Sequence, residues 1–335
     1  MNILHTETLF NWGGQQNKII HEMVALRELG HSSILFCNPN SKIAQTALDQ
    51  GFQVITQEMN KKNFHESIPK LCKIINKNKI QLVISHGSTD SWNAAIAGLV
   101  YRRKGIKFIR ERHNLFPING ILSRLSHRSM FDKIFYVSHS VKQYLKSCGV
   151  KENKLFYMPD VVNVDAAQGT VSTFRKELGI SENDLVIGTF TSLYPKKGSL
   201  DFAFLAKELL KKYSNLTIVF GGDVSTNNKN KILEILGDFA PKAIFTGFRN
   251  DAFSVIKAFD IYIFLSHSEG LGTVLIEAMS CSRAIITYNI EPMNTLITNN
   301  LNGVCVKFQD LGALMEGVDK FIKDKEFAKK CSENA

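Results

Sequence analysis

Short apolar runs alternate with longer amphipathic stretches along almost the whole chain. In its first half, strands are predicted at NILHTE, SILFC, QLVISH, KFIRERH, KIFYVS and KLFYMP. Between them lie stretches with apolar residues at helical spacing, such as NKIIHEMVALRELG, which ends at Gly30 as helices often do. Short apolar strands separated by helices predict a mostly parallel sheet, so this half is interpreted as a doubly wound α/β domain.

The pattern breaks at residues 160–173 and then starts again. This segment is polar, follows Pro159 and contains Gly169, which favours a linker. After it, strands are predicted at DLVIGTFT, LTIVFGGD, AIFTGF, IYIFLS, AIITYN and VCVKF, with a last helix from about Leu311. We therefore predict an α/β protein of two Rossmann-like doubly wound domains, residues 1–165 and 166–335, that face each other across a ligand-binding cleft.

The stretch SEGLGTVLIEAM, residues 268–279, carries the most specific chemistry. The predicted strand before it runs into a glycine-punctuated turn that opens a helix. A helix N-terminus offers unpaired backbone N–H groups and a positive dipole, which together bind phosphate. Glu269 lies at the mouth of this turn, and Glu277 lies about two turns into the helix. Because each carboxylate can bind sugar hydroxyls, a diphosphate with a sugar on either side, a nucleotide-sugar, fits this stretch.

Composition argues against several other classes of protein. The six cysteines are scattered without a CxxC pair, which favours reduced thiols in the cytoplasm over disulfides or a zinc site. The N-terminus lacks the pattern of a secretory signal, and no apolar run approaches the ~18 residues of a spanning helix. The first turn is not GxGxxG, so a dinucleotide fingerprint is absent. No DxD sequence occurs, so no acidic metal clamp is predicted.

Positive charge is concentrated in one half of the chain. Residues 1–165 hold 22 Lys+Arg against 12 Asp+Glu, whereas the remaining 19 residues of each sign cancel. One dense cluster consists of Arg102, Arg103, Lys104, Lys107, Arg110 and Arg112. It is either an ordinary solvated surface or a site for an anionic partner, such as a membrane face or a phosphorylated glycan. No helix-turn-helix and no basic motif with interleaved aromatics is present, so nucleic acid is not an expected partner.

Over nearly its whole length the chain resembles the retaining glycosyltransferases of family 4, of the two-Rossmann-domain (GT-B) type, which include lipopolysaccharide-core and mannosyl transferases. The glutamate pair of SEGLGTVLIEAM is the most specific match, and WGGQ, VSHSVKQYL, PKKG and TGF are weaker ones. The resemblance implies transfer of a hexose or related sugar from a nucleotide-diphosphate donor to a saccharide or lipid-linked glycan of the cell envelope. Because no DxD clamp is present, the protein itself would supply the positive charge, so no metal and no cofactor are expected. The basic first half favours an acceptor at the inner face of the membrane, so a cytoplasmic enzyme, peripheral on that face, is expected.

The resemblance further implies a donor-binding set in the second domain. Its members on the glycine turn and the following helix are Glu269, Gly270, Leu271, Gly272, Thr273, Val274 and Glu277. Within it, Glu277 would bind the ribose hydroxyls and Glu269 would hold the donor sugar. The backbone N–H groups between them would contact the sugar and the phosphates.

Five further positions match the family. Lys197 in PKKG would neutralise the diphosphate leaving group, and Gly14 would approach the diphosphate from the first domain. Phe248 and Arg249 would frame the base, and His113 would lie beside the donor sugar. Residues of this kind stabilise the negative charge that develops when a sugar–phosphate bond breaks.

Three of these residues are predicted to be catalytic: His113, Glu269 and Lys197. His86, at the end of another predicted strand, is a rival to His113, whereas His5 is interpreted as structural or on the surface. Glu111 is the nearest candidate for a carboxylate nucleophile in the first domain but not a convincing one. Retention is therefore expected through front-side attack, with the leaving phosphate taking the acceptor proton.

Two departures from the family keep other functions open. Ser192 stands where the family loop has arginine, so a planar phosphate clamp is missing. The family also normally continues beyond the position of Ala335 into a helix that crosses back to the first domain. One alternative is a nucleotide-sugar 2-epimerase, which shares the fold and acts on the donor alone. The other is a non-catalytic nucleotide-sugar-binding subunit of a glycan assembly complex.

Overall fold

The chain divides into two compact units, Met1–Val161 and Val162–Ala335. The computed structural model describes residues 1–181 and 183–335. Each unit has its own parallel sheet with helices in the crossovers, so the predicted α/β class is confirmed. Within these described ranges, no helix is both long and apolar enough to cross a lipid bilayer.

The first unit is built on a sheet of order β3-β2-β1-β4-β5-β6-β7, parallel throughout. Its strands are β1 (Asn2–Glu7), β2 (Ser32–Cys37), β3 (Gln53–Thr56), β4 (Leu82–Ser85), β5 (Lys107–Arg112), β6 (Lys133–Tyr136) and β7 (Leu155–Tyr157). Its helices are α1 (Gly14–Glu28), α2 (Lys42–Asp49), α3 (Phe64–Lys77), α4 (Ser88–Tyr101), α5 (Ile121–Leu125) and α6 (His139–Ser147). The strand order reverses between β1 and β4, and doubly wound folds bind ligands at that point, beyond the carboxyl ends of the strands.

The second unit repeats this plan with the order β10-β9-β8-β11-β12-β13. Its strands are β8 (Leu185–Phe190), β9 (Leu216–Gly221), β10 (Ala243–Gly247), β11 (Ile261–Phe264), β12 (Ala284–Tyr288) and β13 (Val304–Val306). Its helices are α7 (Val164–Gly169), α8 (Phe174–Glu177), α9 (Ser199–Lys212), α10 (Thr226–Leu236), α11 (Ala252–Lys257), α12 (Thr273–Ser280), α13 (Met293–Leu296), α14 (Leu311–Lys323) and α15 (Lys325–Glu333). Here the reversal lies between β8 and β11.

Strand β11 shows why the central strands are continuously apolar. Ile261 and Ile263 belong to one buried cluster, whereas Tyr262 and Phe264 belong to another. Alternate residues of a strand point to opposite faces of a sheet, so β11 contributes to a core on each side. The loop that follows β11 therefore starts from a strand that is fixed on both faces.

The sequence pattern missed some elements and divided others differently. It did not predict α2 or β3, and β3 is an edge strand whose residues are half-buried or exposed, so it lacks an apolar run. Helix α7 forms within the predicted linker, where the Asn163 side chain accepts a hydrogen bond from Ala166 N at 2.9 Å. The predicted last helix is two helices, because Asp324 caps a new one through Phe327 N at 2.8 Å.

Candidate active site

Two loops meet at the carboxyl ends of β8 and β11 in the second unit. Residues 265–272 follow β11 and lead into α12, and Pro195–Lys197 forms a short 3₁₀ turn after β8. The Lys196 carbonyl accepts hydrogen bonds from His267 N at 2.9 Å and from the Ser266 hydroxyl at 3.4 Å. These bonds fix the turn that carries Lys197 against the loop that carries Glu269.

Two glycines are needed for this arrangement. Gly198 has a φ of +75°, and a Cβ there would lie 2.0 Å from the Leu265 carbonyl oxygen. Any side chain would therefore push the turn away from the end of β11. Gly272 has a φ of +88° and caps the N-terminus of α12, in the left-handed region that favours glycine. Local geometry alone thus explains Gly198 of PKKG and Gly272, the second glycine of GLGT.

Lys197 and Glu269 form a two-point ion pair. The Lys197 Nζ lies 2.6 Å from Oε1 and 2.7 Å from Oε2 of Glu269. The lysine side chain is 33% exposed and the glutamate side chain 10%, so the ammonium remains within reach of solvent. The structure thus brings together the two residues predicted to be catalytic in this unit. A diphosphate that contacts Lys197 would compete with Glu269 for the ammonium.

Helix α12 begins directly after Gly272, as the glycine turn predicts. A first hydrogen bond of the helix runs from Leu275 N to Gly272 O at 2.8 Å. The N–H groups that precede it lie at the positive end of the helix macrodipole. Residues 270–273 are buried and Val274 is half-buried. The backbone therefore has the geometry of an anion-binding helix terminus.

Glu277 lies further along α12 and is only 8% exposed. Burial raises the pKa of the Tyr262 hydroxyl well above its usual value, and the charges of Glu277 and Glu269 raise it further. Both carboxylates therefore lie within electrostatic reach of this hydroxyl, which donates to the Phe190 carbonyl at the end of β8 at 3.0 Å. Both predicted glutamates thus lie near the carboxyl ends of the central strands.

Phe248 and Arg249 follow β10, and the arginine is already engaged. Its Nε donates to Asp251 Oδ1 at 2.7 Å, and a terminal nitrogen donates to Glu177 Oε2 at 3.0 Å. These hydrogen bonds raise the pKa of Arg249, and the guanidinium also lies 5.4 Å from the centre of the Phe174 ring. Arg249 is therefore held within the unit, whereas Phe248 is 41% exposed.

In the first unit, Gly14 is an exposed residue at the start of α1, just beyond the end of β1. The turn before it is held by the buried Glu7 carboxylate, which accepts hydrogen bonds from Thr8 N at 2.6 Å and Leu9 N at 2.8 Å. Burial, together with the charge of Asp90, raises the pKa of Glu7. Gly14 is therefore placed at the edge of the sheet where a ligand is expected.

A chain of three histidines runs along the same edge. His5 Nδ1 lies 3.1 Å from His86 Nε2, and His86 Nδ1 lies 3.1 Å from His113 Nε2. Burial lowers the pKa values of His5 and His113 to about 3 each, so both imidazoles are neutral at neutral pH. His113 and its rival His86 are thus neighbours, and His5, interpreted from the sequence as structural or on the surface, contacts His86.

Glu111 lies beside this chain. Its Oε2 is 3.3 Å from His86 Nδ1 and 3.9 Å from His113 Nε2, and its Oε1 contacts the Lys18 ammonium. Burial alone would raise the pKa of Glu111, but His113, His86 and Lys18 outweigh it, and the pKa lies well below its usual range. Glu111 is therefore an ionised carboxylate without solvent contact.

Lys18 joins several parts of the first unit. Its Nζ donates to the Met158 carbonyl at 2.6 Å and lies 3.4 Å from Asp160 and 3.7 Å from Glu22. Burial lowers the pKa of Lys18, but the neighbouring carboxylates, Glu111 first, raise it above its usual value. Burial also raises the pKa of Glu22 well above its usual range. The neighbouring carboxylates therefore favour the charged form of Lys18, whereas burial favours the neutral form of Glu22.

Two groups in this cluster have the spacing of metal ligands. They are His86, Glu111, His113 and His5, Glu22, His86, with donor atoms within 4.8 Å of one another in each group. Imidazole and carboxylate together suit a transition metal. However, the Lys18 ammonium already contacts Glu111 and supplies a positive charge to the first group. The charge of Glu111 is thus balanced by the chain itself.

The face of β5 opposite Glu111 carries two buried arginines. Arg110 is 4% exposed and Arg112 is 6% exposed, so neither belongs to the basic surface that was predicted from their place in the sequence. Both Nε atoms are buried without a hydrogen-bond partner in the described part of the chain. Burial and the charge of Arg112 lower the pKa of Arg110 to about 9, and burial and Arg110 lower that of His127 to about 3. Positive charge is thus concentrated here.

Both halves of the chain match the description of a known protein family. The description "Glycosyltransferase Family 4" matches residues 12–166, and "Glycosyl transferases group 1" matches residues 171–335. The chain is 26% identical to N,N'-diacetylbacillosaminyl-diphospho-undecaprenol alpha-1,3-N-acetylgalactosaminyltransferase of Campylobacter jejuni, over 89% of this chain and 84% of that protein. It is 22% identical to the phosphatidylinositol N-acetylglucosaminyltransferase GPI3 subunit of Saccharomyces cerevisiae, over 92% and 72% respectively.

The fold also matches solved structures. Anabaena HepE, solved in complex with UDP-glucose, superposes with a TM-score of 0.85 at 16% identity, over 100% of this chain and 93% of that one. At this identity the likeness concerns the fold, whereas the two family descriptions together cover nearly the whole chain. Both sequence relatives are named glycosyltransferases. The chain therefore belongs to glycosyltransferase family 4, with two Rossmann-like domains of the GT-B type.

Proposed function

We propose that the protein is a retaining glycosyltransferase that transfers a sugar from a nucleoside-diphosphate sugar to a lipid-linked acceptor. The observation that carries this proposal is the Lys197–Glu269 pair at the N-terminus of α12, with Glu277 on the same helix. The ammonium and the helix terminus stabilise charge on the leaving diphosphate, and the two carboxylates bind hydroxyls on either side. Because HepE is solved with UDP-glucose, UDP-sugars are the first donors to test.

Retention proceeds by front-side attack in this proposal. The acceptor oxygen bonds to the anomeric carbon on the face that the diphosphate leaves, and the leaving phosphate takes the acceptor proton. The burial of Glu111 supports this route, because a carboxylate with no exposed surface and a lysine partner is poorly placed to act as a nucleophile. No metal is required, since Lys197 and the helix dipole supply the positive charge.

The acceptor in this proposal carries a phosphate. The names of both relatives describe phosphate-bearing lipids, undecaprenol diphosphate and phosphatidylinositol. Arg112 donates to the Phe116 carbonyl, but neither Arg110 nor Arg112 has a carboxylate partner in the described part of the chain, and both Nε atoms lack a hydrogen-bond partner there. A buried guanidinium without a counter-charge is costly. A phosphate offers the charge and the two-point geometry that arginine binds well. We infer that these arginines contact the acceptor phosphate.

A membrane-facing surface fits such an acceptor. The exposed apolar side chains around α5 are Phe116, Ile121, Leu122 and Leu125. Arg102 donates to the Ser129 carbonyl at 3.0 Å, so the basic segment Arg102–Lys104 lies against the turn that continues α5. Apolar side chains beside lysine and arginine bind the interface of an anionic membrane. The protein is thus proposed to act at the inner face of a membrane.

Ligand binding tests the donor half of the proposal. We expect UDP or another nucleoside diphosphate to raise the melting temperature of the protein without added metal, measured by a thermal shift in the presence of EDTA. UDP-, GDP- and ADP-sugars are compared in the same assay. If no nucleotide at millimolar concentration stabilises the protein, the proposal fails.

Turnover tests the chemistry. Lys197→Ala should lower kcat roughly 100-fold, as loss of a group that stabilises transition-state charge does, whereas Lys196→Ala in the same turn should have little effect. NMR of the product should show the anomeric configuration of the donor. Conversion of the donor in the absence of any acceptor would instead identify an epimerase. Intact binding without any turnover would identify a non-catalytic subunit.

A further inference from the structure

We propose that His5 and His86 are positioning residues that fix the tautomer of His113, so that His113 Nδ1 carries the proton and donates it in a hydrogen bond to a substrate oxygen. This inference rests on the proposed function and on the place beside the donor sugar that the family resemblance implies for His113. It concerns which ring nitrogen faces the substrate and what determines that choice.

The three rings are joined edge to edge. The centres of the His5 and His86 rings are 5.4 Å apart, with planes 10° apart, and the centres of the His86 and His113 rings are 5.3 Å apart, with planes 28° apart. The facing nitrogens are 3.1 Å apart in both contacts. Because the nitrogens are much closer than the ring centres, each contact runs along the ring edges. This is the geometry of an N–H···N hydrogen bond.

Each of these two contacts needs one proton, and the protons are coupled. A neutral imidazole has one N–H, so if His86 Nδ1 is the donor, His113 Nε2 must accept and the proton of His113 lies on Nδ1. If His113 Nε2 is the donor, the direction of the hydrogen bond reverses and His113 Nδ1 becomes an acceptor. The His113 tautomer is therefore decided at the His86 contact.

Glu111 selects between the two orders. Its Oε2 lies 3.3 Å from His86 Nδ1 but 3.9 Å from His113 Nε2, so the carboxylate favours an N–H on His86. The contact of Glu111 with Lys18 keeps the carboxylate ionised and therefore an acceptor. The proton between His86 and His113 thus belongs to His86, and His113 Nδ1 is the donor.

The outer nitrogens of the three-histidine row fit this direction of the hydrogen bonds. His5 Nε2 and His113 Nδ1 are both buried and lack a hydrogen-bond partner among the described residues. In the proposed order His5 Nε2 is the unprotonated nitrogen of its ring. His113 Nδ1 is then a donor whose missing partner a substrate oxygen supplies.

NMR of the ring nitrogens tests the proposal directly. In the full-length protein labelled with ¹⁵N-histidine, two-bond ¹H–¹⁵N correlations distinguish protonated from unprotonated ring nitrogens. We expect His113, assigned by its loss in His113→Gln, to be protonated at Nδ1 and unprotonated at Nε2. Protonation of His113 at Nε2 in the wild-type protein would overturn the proposal, even if every variant failed to fold.

Variants then test the cause. Glu111→Gln and His86→Phe should shift His113 towards the Nε2–H tautomer. His127→Phe changes a buried histidine that does not belong to the row of three histidines, and it should leave the His113 tautomer unchanged. Unchanged His113 signals in a folded His86→Phe protein would contradict the proposal.

Kinetics separate a positioning role from a structural one. His86→Phe should lower kcat by roughly tenfold or more, as loss of a group that orients an active-site histidine does. Its affinity for UDP should stay within about twofold of the wild type, since the nucleotide contacts proposed above lie elsewhere. A loss of UDP binding with unchanged kcat would oppose the inference. If the wild-type protein binds no nucleotide, the proposed function fails while the NMR result still decides the tautomer.

Discussion

Two lysine–glutamate ion pairs lie near the carboxyl ends of the central strands, one in each unit. Lys18 contacts Glu111 in the first unit, and Lys197 contacts Glu269 in the second. The first pair is fully buried, so removing either partner alone would cost about 3–5 kcal/mol of stability. The second pair is partly exposed, and a ligand can take over the ammonium at little cost. The two pairs are therefore suited to different tasks, support of the fold and exchange with a ligand.

Glu277 provides the sharpest test at this scale. Glu277→Ala should weaken UDP binding by about 2–3 kcal/mol, roughly 50-fold, because a charged hydrogen-bond acceptor for two ribose hydroxyls is lost. Isothermal titration calorimetry with UDP measures the change. Glu316→Ala, at an exposed glutamate of α14, is the matched control. Unchanged UDP affinity in the Glu277 variant would refute the assignment of the donor site.

His127 gives a prediction about pH. Burial lowers the pKa of His127 to about 3, whereas the unfolded value is about 6.5. Between the folded pKa and the unfolded pKa, only the unfolded chain binds this proton. The contribution of His127 to the free energy of unfolding is therefore complete above about pH 6.5, and it falls by about 1.4 kcal/mol per pH unit as the pH is lowered towards 3. His127→Gln should remove this slope.

Urea unfolding at several pH values measures that slope. Tryptophan fluorescence reports on the first unit, since Trp12 and Trp92 both lie there. His65→Gln, at a side chain that is 74% exposed, is the control and should leave the slope unchanged. Parallel pH profiles for the wild type and His127→Gln would mean that His127 titrates normally in the folded protein.

At the scale of elements, the two parallel sheets place chemistry by the same rule. Loops that are distant in sequence meet wherever the order of strands brings strand ends together. Glu269 and Lys197 follow β11 and β8, and His86 and His113 follow β4 and β5. Helix α5 is different, because it exposes apolar side chains instead of burying them.

Helix α5 should bind lipid. Replacing Ile121, Leu122 and Leu125 by serine should lower partition onto vesicles that contain anionic lipid by about 3 kcal/mol, roughly 100-fold, if each side chain is about half-buried in the membrane interface. Vesicle sedimentation measures this partition. Leu301→Ser changes an exposed leucine of the second unit and should have no effect. Equal partition of the triple variant and the wild type would exclude α5 as the membrane contact.

The uneven charge of the chain acts at the scale of the whole molecule. The excess of 22 basic over 12 acidic residues in the first 165 residues should draw the protein to anionic vesicles by this part of the chain. Raising the ionic strength from about 0.05 M to about 0.5 M should release most of the protein, because screening shortens the reach of surface charge. Binding that does not respond to salt would show that apolar contact alone holds the protein.

Much of the fold, and the positions of the residues proposed to bind the donor, could be predicted from the sequence. Glu269 and Glu277 lie in one contiguous stretch, so their spacing along the chain indicates both the helix and the chemistry. Most central strands could be predicted because both of their faces are apolar. Lys197 could be placed because PKKG directly follows a strand. Helix α2 and strand β3 were not predicted, because short, half-buried elements have a weak periodic pattern of apolar residues.

The buried polar cluster of the first unit could not be predicted in the same way. His5 and His86 are 81 residues apart, and only the pairing of β1 with β4 brings them together. Arg110 and Arg112 were counted as surface charge because nothing local in the sequence indicates which face of β5 is covered. Lys18 lies on a helix where a lysine normally faces solvent, and its partners come from three separate segments. Long-range topology decides such contacts.

Lys18 also determines where the first unit can be cut. Two of its partners, the Met158 carbonyl and Asp160, lie beyond Tyr157, the last residue of β7, and just before the division between the units. A fragment that ends at Tyr157 would keep every strand of the first sheet and still leave this ammonium short of two partners. Dissection of the protein into separately expressed pieces should therefore extend the first piece at least to Asp160.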